Sequence, residues 1–426
     1  MMLFDFSMLF GFFILLYLLL ALALRSKKPK IPVWCIMAFS SFLVIVLGLL
    51  NSDGVTQVID WDVILFLIGM FSLVGLGNSS GLFELISIRF VSLFKRRVSV
   101  IYASSLLFGM LAAFAVNDTV ALMGPPIAYT IASLTDADPK FMFFLLTFSL
   151  TIGSVMTPIG NPQNLLIAIE SGIKAPFLMF ILKLTIPTIL NLLITSYVLQ
   201  KFFKIEDKKL THKKVSIVSI KNRKDVLIAG IGILLTIFSL IINDILELLE
   251  MPHIKHRGVI PFIIAAGSYL LTSNPRKVIS EVDWSIIVFF ITMFITMEGI
   301  WRSGVLQPML NVILPKKEDY ILGIVKITLI SLFMSQLLSN VPFVKIFIEY
   351  MKKIGYTGED NNSWLTLAMS STIAGNLTIL GAASNIIILE VLESRMKSTI
   401  TFKEFLKIGS VVSLINILVY LPFLLI

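Results

Sequence analysis

The stretch Asp60-Trp61-Asp62-Val63-Ile64, followed by Gly69-Met70-Phe71, decides the fold because the chain repeats it. Asp283-Trp284-Ser285-Ile286-Ile287 and Thr292-Met293-Phe294 stand later in the same order, and all of them keep one constant offset in residue number. The matched residues include tryptophan and aspartate, so shared apolar composition does not account for them. The repetition indicates that the two halves of the chain follow one plan.

Two further matches keep the same or nearly the same offset. Asn117 in Val116-Asn117-Asp118-Thr119 corresponds to Asn340 in Ser339-Asn340-Val341-Pro342, with the offset that separates Asp60 from Asp283. Asn164, at the end of a Pro-rich and Gly-containing motif, corresponds to Asn385 at a slightly smaller offset. A near-constant offset over three separated blocks favours an internal repeat over a chance alignment.

The composition is typical of a protein that lies in lipid. Hydrophobic residues make up 57% of the 426 residues, charged residues 14%, and the mean hydropathy is +0.94. A spanning helix needs about 20 mostly apolar residues, and such stretches recur from Phe6–Leu24 to Phe405–Ile426. They predict an all-α polytopic membrane protein with about ten spans. Phe6–Leu24 lacks the features of a signal peptide, so we expect it to be retained.

The charges between the spans predict how the chain crosses the membrane. Lysine and arginine collect in cytoplasmic loops, and they are dense at residues 25–30 and in a linker at residues 204–224. The segment 51–60 has neither residue, which places it outside. Five spans then precede the linker and five follow it, with both termini exterior. An odd number of spans leaves the chain on the opposite side of the membrane, so a second copy of the unit has the opposite orientation. We therefore expect inverted repeats at 1–203 and 225–426.

Several classes of function are disfavoured. The net charge of +9 does not indicate nucleic acid, because the basic residues lie between apolar spans. Cys35 is the one cysteine, and His253 and His256 stand in a polar loop without further ligands, so we expect no disulfide and no metal centre. The apolar runs contain no arrangement of nucleophile and base. We therefore expect no enzyme active site and no resident cofactor.

Each half contains a polar motif between two apolar segments. Asn117-Asp118-Thr119 lies between Ile101–Ala115 and Val120–Ile131, both too short to span a bilayer comfortably. These lengths predict a re-entrant hairpin at 99–135 that enters from the cytoplasm and has its tip at mid-membrane. We expect the counterpart, at 321–355, to enter from the exterior.

A second polar motif interrupts a helix in each half. Two prolines and a glycine lie within Thr157–Asn164, and proline removes a backbone donor and clashes with the preceding turn. The helix should therefore unwind, which is tolerated at membrane depth where protein or a watery cavity covers the freed backbone. Thr378–Asn385 has no proline, so its break is expected to be milder.

These motifs supply oxygen ligands and helix N-termini. Carbonyl, amide and hydroxyl oxygens bind hard cations, and helix N-termini favour anions. The candidate substrate and ion site consists of Asn117, Asp118, Thr119, Thr157, Gly160, Asn161, Asn164, Ser339, Asn340, Thr378, Gly381, Ser384 and Asn385. The candidate Na⁺ ligands among them are Asn117, Asp118, Gly160 and Asn161. The alternative is that these side chains only hold helices together.

Asp118 is the most informative single residue, because a carboxylate at bilayer depth is costly and generally functional. It is suited to binding Na⁺ or carrying a proton. Its counterpart is Val341, so this role is not duplicated. Glu298 and Lys345 are weaker candidates, since Glu298 has Arg302 one turn away and Lys345 can extend its amine toward the membrane surface.

At these motifs the chain resembles the ion transporter superfamily, in particular the citrate-transporter-like group with its arsenite permeases, sodium/proton antiporters and divalent-anion sodium symporters. The resemblance covers nearly the whole chain and rests on Asn117-Asp118-Thr119, Gly160–Asn164, Ser339–Phe343 and Gly381–Asn385. It implies a dimerising scaffold domain, a transport domain with both hairpins, and elevator-type alternating access. In the divalent-anion symporters, Ser-Asn-Thr tips bind sodium and substrate, and Val341 departs from that pattern here.

These observations predict a secondary active transporter in the plasma membrane. It would move a small anion, such as a carboxylate, arsenite or another oxyanion, coupled to Na⁺ or H⁺. The alternative hypothesis is a Na⁺/H⁺ antiporter in which Asp118 is the exchanging carboxylate. The expected partners are the anion, the lipid bilayer and a second copy of the chain, and no nucleic acid is expected.

Overall fold

A computed structural model describes residues 6–25, 31–210, 222–314, 316–317, 320–379, 381–396 and 399–425. The helices of the first half are α1 (Phe6–Arg25), α2 (Val33–Val46), α3 (Ser52–Gln57), α4 (Trp61–Ser80), α5 (Leu82–Ser92), α6 (Arg97–Ala115), α7 (Asn117–Thr135), α8 (Pro139–Ser154), α9 (Pro162–Glu170) and α10 (Pro176–Phe202). Those of the second half are α11 (Arg223–Leu248), α12 (Val259–Leu271), α13 (Pro275–Ser280), α14 (Trp284–Ser303), α15 (Gln307–Ile313), α16 (Tyr320–Leu338), α17 (Asn340–Lys353), α18 (Asn361–Ile373), α19 (Ala383–Met396) and α20 (Phe402–Leu424).

Seven of the described helices are long and apolar enough to cross a bilayer in one piece, namely α4, α6, α10, α11, α14, α16 and α20. About ten spans were predicted. Five of them are among these seven helices, because α6 and α16 are hairpin arms, and the other five differ for two reasons. The apolar parts of α1, α2 and α12 have only 10–17 residues, and two predicted spans are divided into the pairs α8/α9 and α18/α19. The prediction of a helical multi-pass membrane protein is confirmed.

The helices pack in two groups. The scaffold comprises α1, α2, α4, α11, α12 and α14, in which α2 packs on α14 and α12 packs on α4. The bundle comprises α6 to α10 and α16 to α20, in which α6 packs on α8, α16 on α18, and α10 on α20. Each group takes helices from both halves of the chain. Neither half therefore buries its apolar surfaces alone.

The first hairpin consists of α6 and α7, which pack on one another. Val116 joins them with φ 62°, a left-handed conformation that is rare for a β-branched residue. The hairpin returns to the side from which it started, because Arg97 Nη2 donates to Asp136 O at 2.6 Å. The hairpin was predicted at 99–135, and its two helices lie within Arg97–Thr135 with 19 residues each.

The second hairpin, formed by α16 and α17, turns in the same way. Ser339 joins its arms with φ 69°, and it corresponds to Val116, the turn residue of the first hairpin, at the offset of the repeat. At its outer end, Tyr320 Oη donates to Leu424 O at 2.7 Å and accepts from Asn362 Nδ2. The start of α16 therefore lies beside the start of α18 and the end of α20.

Both broken helices are present. α8 ends at Ser154 and α9 begins at Pro162, where Asn161 caps the new helix. In the second half, α18 ends at Ile373, a 3₁₀ turn follows at Ala374–Asn376, and α19 begins at Ala383. Because of the 3₁₀ turn, part of the second break remains helical, which is consistent with its lack of proline.

Buried polar side chains join α10 and α20 at the centre of the bundle. Asn416 Nδ2 donates to Asn191 Oδ1 at 3.0 Å and to Thr195 Oγ1 at 3.1 Å. The hydroxyls of Thr188 and Tyr420 lie 2.7 Å apart. The sequence analysis missed these residues, although their spacing on two apolar helices is a helical one.

The described beginning of the linker is attached to the first hairpin. Arg96 Nε donates to Asp207 Oδ2 at 2.6 Å, and Lys208 Nζ donates to Asp136 Oδ2 at 2.8 Å. A backbone bridge also joins Arg96 to Lys209. The predicted linker spans 204–224, and its central residues 211–221 lie outside the described residues.

Candidate functional site

The first break is held together by the side chains of its own Asn residues. Asn161 Oδ1 accepts from Asn164 N at 2.9 Å, and Asn161 Nδ2 donates to Thr372 Oγ1 at 3.1 Å, so this cap reaches a helix of the other half. Asn164 Nδ2 donates to the carbonyls of Ser154 at 3.0 Å and Thr157 at 3.3 Å. These bonds satisfy backbone carbonyls that the unwound helix leaves free.

The second break has the same bonds. Asn385 Nδ2 donates to the carbonyls of Gly375 at 2.8 Å and Thr378 at 3.2 Å. Each of these three residues stands at one and the same offset from its counterpart around Asn164. Asn164 and Asn385 are both fully buried. In this structure, therefore, each stabilises a broken helix and does not face open space.

The tip of the first hairpin rests on the first break. Asn117 N donates to Gly160 O at 2.9 Å, and Thr157 Oγ1 donates to Ala113 O while accepting from Gly160 N at 3.1 Å. Glycine at position 160 is required by the close packing of the break on the end of α8, because a Cβ atom there would overlap the Ser154 carbonyl. In the second half, Thr378 is the counterpart of Thr157. Its Oγ1 donates to the Gln336 side chain at 2.8 Å, and not to a backbone carbonyl.

A cavity of about 400 Å³ lies where the bundle meets the scaffold. The hairpin tips line it with Asn117, Asp118, Ser339, Asn340 and Val341, and the breaks line it with Pro162, Gln163, Gly381 and Ala382. Scaffold helices α2 and α14 close it with their first turns, which contribute Val33, Trp34, Asp283, Ser285, Phe289 and Phe290. Both tips and both breaks therefore converge on one space.

The predicted site residues divide into two sets. Those that line the cavity are Asn117, Asp118, Ser339, Asn340 and Gly381. Those that lie behind the lining or beside it are Thr119, Thr157, Gly160, Asn161, Asn164, Thr378, Ser384 and Asn385. The four predicted Na⁺ ligands are divided in the same way, because the Gly160 carbonyl and the Asn161 amide are already engaged within the protein.

The ionisable side chains among the described residues that line the cavity are acidic. Asp118 faces the cavity from the bundle and Asp283 faces it from the scaffold. No lysine, arginine or histidine is among the described residues that line it. The sequence analysis used Asp283 only as a marker of the repeat. Asp283 follows a basic segment of the kind expected in the cytoplasm, whereas its repeat counterpart Asp60 is expected on the exterior side. This difference was the sequence feature that could have indicated a role for Asp283.

Two unpaired acceptors point to a ligand. Asn117 Oδ1 and Asn340 Oδ1 are buried, belong to residues that line the cavity, and have no hydrogen-bond partner among the described residues. Ser384 Oγ, at the start of α19, does not line the cavity but is also buried without a hydrogen-bond partner among the described residues. Because buried acceptors without partners are costly, these oxygens suit a cation or a solute that donates hydrogen bonds.

Lys345 is buried in an ion pair, and the prediction that it extends to the membrane surface was wrong. Its Nζ lies 2.7 Å from Glu170 Oε2 and 3.3 Å from Glu349 Oε1. Glu298 accepts from Arg302 Nε at 2.6 Å, the local pair expected from their spacing. No local pattern indicated Glu170 as the partner of Lys345, because α9 and α17 belong to different halves.

The comparison with known families decides what kind of protein this architecture belongs to. The family described as "Citrate transporter" matches residues 17–369. The chain belongs to the citrate transporter family. The resemblance found in the motifs is thereby confirmed, as is the prediction of a transporter and not an enzyme.

Relatives of this citrate transporter family member are distant but cover most of the chain. A "46 kDa membrane protein" of Mycobacterium leprae is 24% identical over 397 residues, covering 88% of this chain and 89% of that protein. The "Silicon efflux transporter LSI3" of Oryza sativa subsp. japonica is 25% identical over 334 residues, 66% of this chain and 68% of that protein. The crystal structure of the Alcanivorax borkumensis YdaH transporter has a similar fold, with a TM-score of 0.56, 13% identity, and coverage of 98% and 97%.

Proposed function

We propose that the protein is a cation-coupled secondary transporter whose solute and coupling ion share the cavity at the hairpin tips. The observation that carries this proposal is the convergence of Asp118 with the unpaired oxygens of Asn117 and Asn340. A carboxylate beside amide oxygens binds Na⁺ or exchanges H⁺. Asp118 is the coupling residue in this proposal.

Alternating access is the proposed mechanism, with inverted repeats at 1–203 and 225–426 joined by the linker 204–224. Matched turns at Val116 and Ser339, and matched packing in the two halves, support the repeat. The bundle would move against the scaffold and carry both tips and both breaks with it, as in an elevator. The cavity between the two groups is where such a movement would open and close a path.

The orientation follows from the charges. The scaffold helices that line the cavity begin just after the basic segments 25–30 and 275–277, so the cavity would open to the cytoplasm and both termini would lie outside the plasma membrane. A homodimer would use the apolar outer face of the scaffold, where α11 exposes Leu227, Ile231, Leu234 and Phe238. These exposed side chains support either lipid or a second copy as the neighbour.

The first solute class is a small anion, such as a carboxylate, arsenite or another oxyanion. The first turns of α7, α9, α17 and α19 meet at the cavity, and their N–H groups favour negative charge. The carboxylates of Asp118 and Asp283 disfavour it. An anion would therefore enter together with cations that neutralise these groups, which is the arrangement of a symporter.

The second solute class is a small uncharged hydroxylated acid. The cavity offers hydrogen-bond acceptors and no basic side chain among its described lining residues, and hydroxyl groups are donors. The rice relative named as a silicon efflux transporter makes this class worth testing beside the anions. H⁺ exchange on Asp118 would then drive the movement.

A Na⁺/H⁺ antiporter is the remaining candidate. It needs only one exchanging carboxylate, and Asp118 in the cavity is suited to that role. In this case, no organic or oxyanion solute would be required. Loss of all exchange on neutralising Asp118 would be its signature.

The test is uptake into proteoliposomes. Labelled citrate, succinate, arsenite and silicic acid are each offered under an imposed Na⁺ or H⁺ gradient, with a pH-sensitive dye inside. Gradient-driven uptake of one solute, lost in Asp118→Asn, is the expected result. A Na⁺-driven pH change without uptake of any solute would assign the antiporter, and neither response would contradict the proposed coupling.

A further inference from the structure

Lys345 is buried where the bundle packs against scaffold helix α14, outside the lining of the cavity. Its side chain is 12% exposed, and that of its partner Glu170 is 8% exposed. The Lys345 amine also lies 5.5 Å from the ring centre of Phe294 on scaffold helix α14. The same helix lines the cavity only as far as Phe290, one turn earlier. The ion pair thus lies just beyond the closed end of the cavity.

Leu122 occupies the position in the first hairpin that Lys345 occupies in the second. Each stands at the same distance along the chain from the first residue of its returning arm, Asn117 or Asn340. Leu122 is 57% exposed and lines the cavity. One hairpin position therefore faces open space while its counterpart is covered by the scaffold.

The packing of the neighbouring helices has the same asymmetry. α17 packs on scaffold helix α14, and α9 packs on α4. The counterparts of α17 and α9 are α7 and α19, and they line the cavity with Leu122 and Ile387. The bundle is closed against the scaffold at the Lys345 side and open at the Leu122 side.

We propose that Lys345 lines the solute pathway when it opens to the far side of the membrane, and that the Lys345–Glu170 pair closes that side in this structure. The inference rests on the proposed alternating access of the two halves. If the halves exchange conformations, the scaffold covers Leu122 and uncovers Lys345. The pathway then has Lys345 with the carboxylates of Glu170 and Glu349 at the far side, and Asp118 and Asp283 at the cavity side.

The Lys345–Glu170 ion pair is suited to a contact that breaks when the far side of the pathway opens. Glu170 Oε1 is buried and has no hydrogen-bond partner among the described residues, so the carboxylate is only half satisfied in the closed state. Burying two charges costs hydration that their attraction does not fully return. Water reaching Lys345 and Glu170 on opening would offset the lost packing against Phe294.

The test is cysteine accessibility in the full-length protein, in vesicles of defined orientation. In a Cys35→Ser background, Leu122→Cys and Lys345→Cys are each treated with a membrane-impermeant maleimide from one side and then from the other. Leu122→Cys should react from the cavity side and Lys345→Cys from the far side. A reversed cation gradient that slows one reaction by about threefold should speed the other, because a single equilibrium controls both.

Because Lys345→Cys leaves Glu170 unpaired, the double variant Lys345→Cys/Glu170→Gln carries the same test if the single variant does not fold. Attaching an aminoethyl thiol to Cys at position 345 restores the charge and should restore transport. Labelling of both positions from the same side, or no labelling of a folded double variant, would overturn the inference. The labelling needs no knowledge of the solute, so reciprocal labelling supports the pathway even if none of the tested solutes is transported.

Discussion

Asn191 and Asn416 stand 225 residues apart and hydrogen-bond to each other across the centre of the bundle. Asn191 Nδ2 donates to Asn416 O at 3.2 Å, and Asn416 Nδ2 donates to Asn191 Oδ1 at 3.0 Å. Both side chains are fully buried. Asn191 lies on the last helix of the first half and Asn416 on the last helix of the second, so this pair joins the two halves of the chain. The α10/α20 contact is therefore where we expect the bundle to be least tolerant of change.

Replacing Asn416 by alanine should destabilise the protein by about 1–3 kcal/mol, because it leaves Asn191 Oδ1 buried without its donor. Thermal unfolding in detergent measures the loss. The control is Ser410→Ala on the same helix, whose exposed hydroxyl bonds only within its own turn to Leu406 O. If Asn416→Ala had the same thermal unfolding midpoint as Ser410→Ala, water would have replaced the lost hydrogen bond to Asn191.

Gly160→Ala should impair folding, transport or both. The added methyl group would overlap the Ser154 carbonyl in the first break, and overpacking of this kind costs about 1–3 kcal/mol. Gly267→Ala is the matched control, because nothing lies within 4 Å of its Cβ and it stands within helix α12. Alanine there should stabilise the helix by about 0.5–1 kcal/mol. Equal effects of the two substitutions would contradict the close approach at Gly160.

Asp118→Asn should remove the dependence of transport on the cation gradient, since an amide neither exchanges a proton nor offers a full charge to Na⁺. Asp283→Asn should keep that dependence but change the apparent affinity for the cation, because Asp283 caps α14 and lines the same cavity as Asp118. Rates are measured in proteoliposomes at several cation concentrations. Exposed Asp53→Asn is the control. Unchanged coupling in Asp118→Asn would remove that residue from the mechanism.

The Arg96–Asp207 pair should stabilise the protein at neutral pH and lose its effect in acid. The hydrogen bond from Arg96 holds the pKa of Asp207 below its ordinary value. A carboxyl group with a lowered pKa in the folded state contributes stability above its unfolded pKa of about 3.9 and loses it as the pH falls through the folded value. The unfolding midpoints of wild type and Asp207→Asn should differ at pH 7 and converge below about pH 4. A constant difference would argue against the pair.

The breaks and the tips were predictable because their causes are local. Proline and glycine within Thr157–Asn164 disrupt a helix wherever it lies, and an internal repeat identified Ser339-Asn340 from Asn117. The first hairpin was predicted at 99–135, because apolar content set its bounds. Helix α6 begins two residues earlier and includes the polar residues up to Arg97, which lie at its outer end.

The contacts that the sequence did not reveal all join distant parts of the chain. Asp283 reaches the cavity only because the scaffold meets the bundle there, and Glu170 meets Lys345 only because α9 packs on α17. No local pattern encodes such pairings. The roles of Asn164 and Asn385 were open for a similar reason, since an amide in a broken helix can bind a solute or its own backbone, and here it binds the backbone.

The hydrogen bond from Asn161 to Thr372 joins the two halves of the chain at the first break. The capping residue of a helix in the first half also donates to a hydroxyl of the second half, so the first half made alone would lack this contact. A gene divided within the linker should therefore yield two fragments that are inactive apart and recover activity when they are produced together. If the fragments complement each other in this way, the rate of solute uptake would measure how much of the two fragments has assembled.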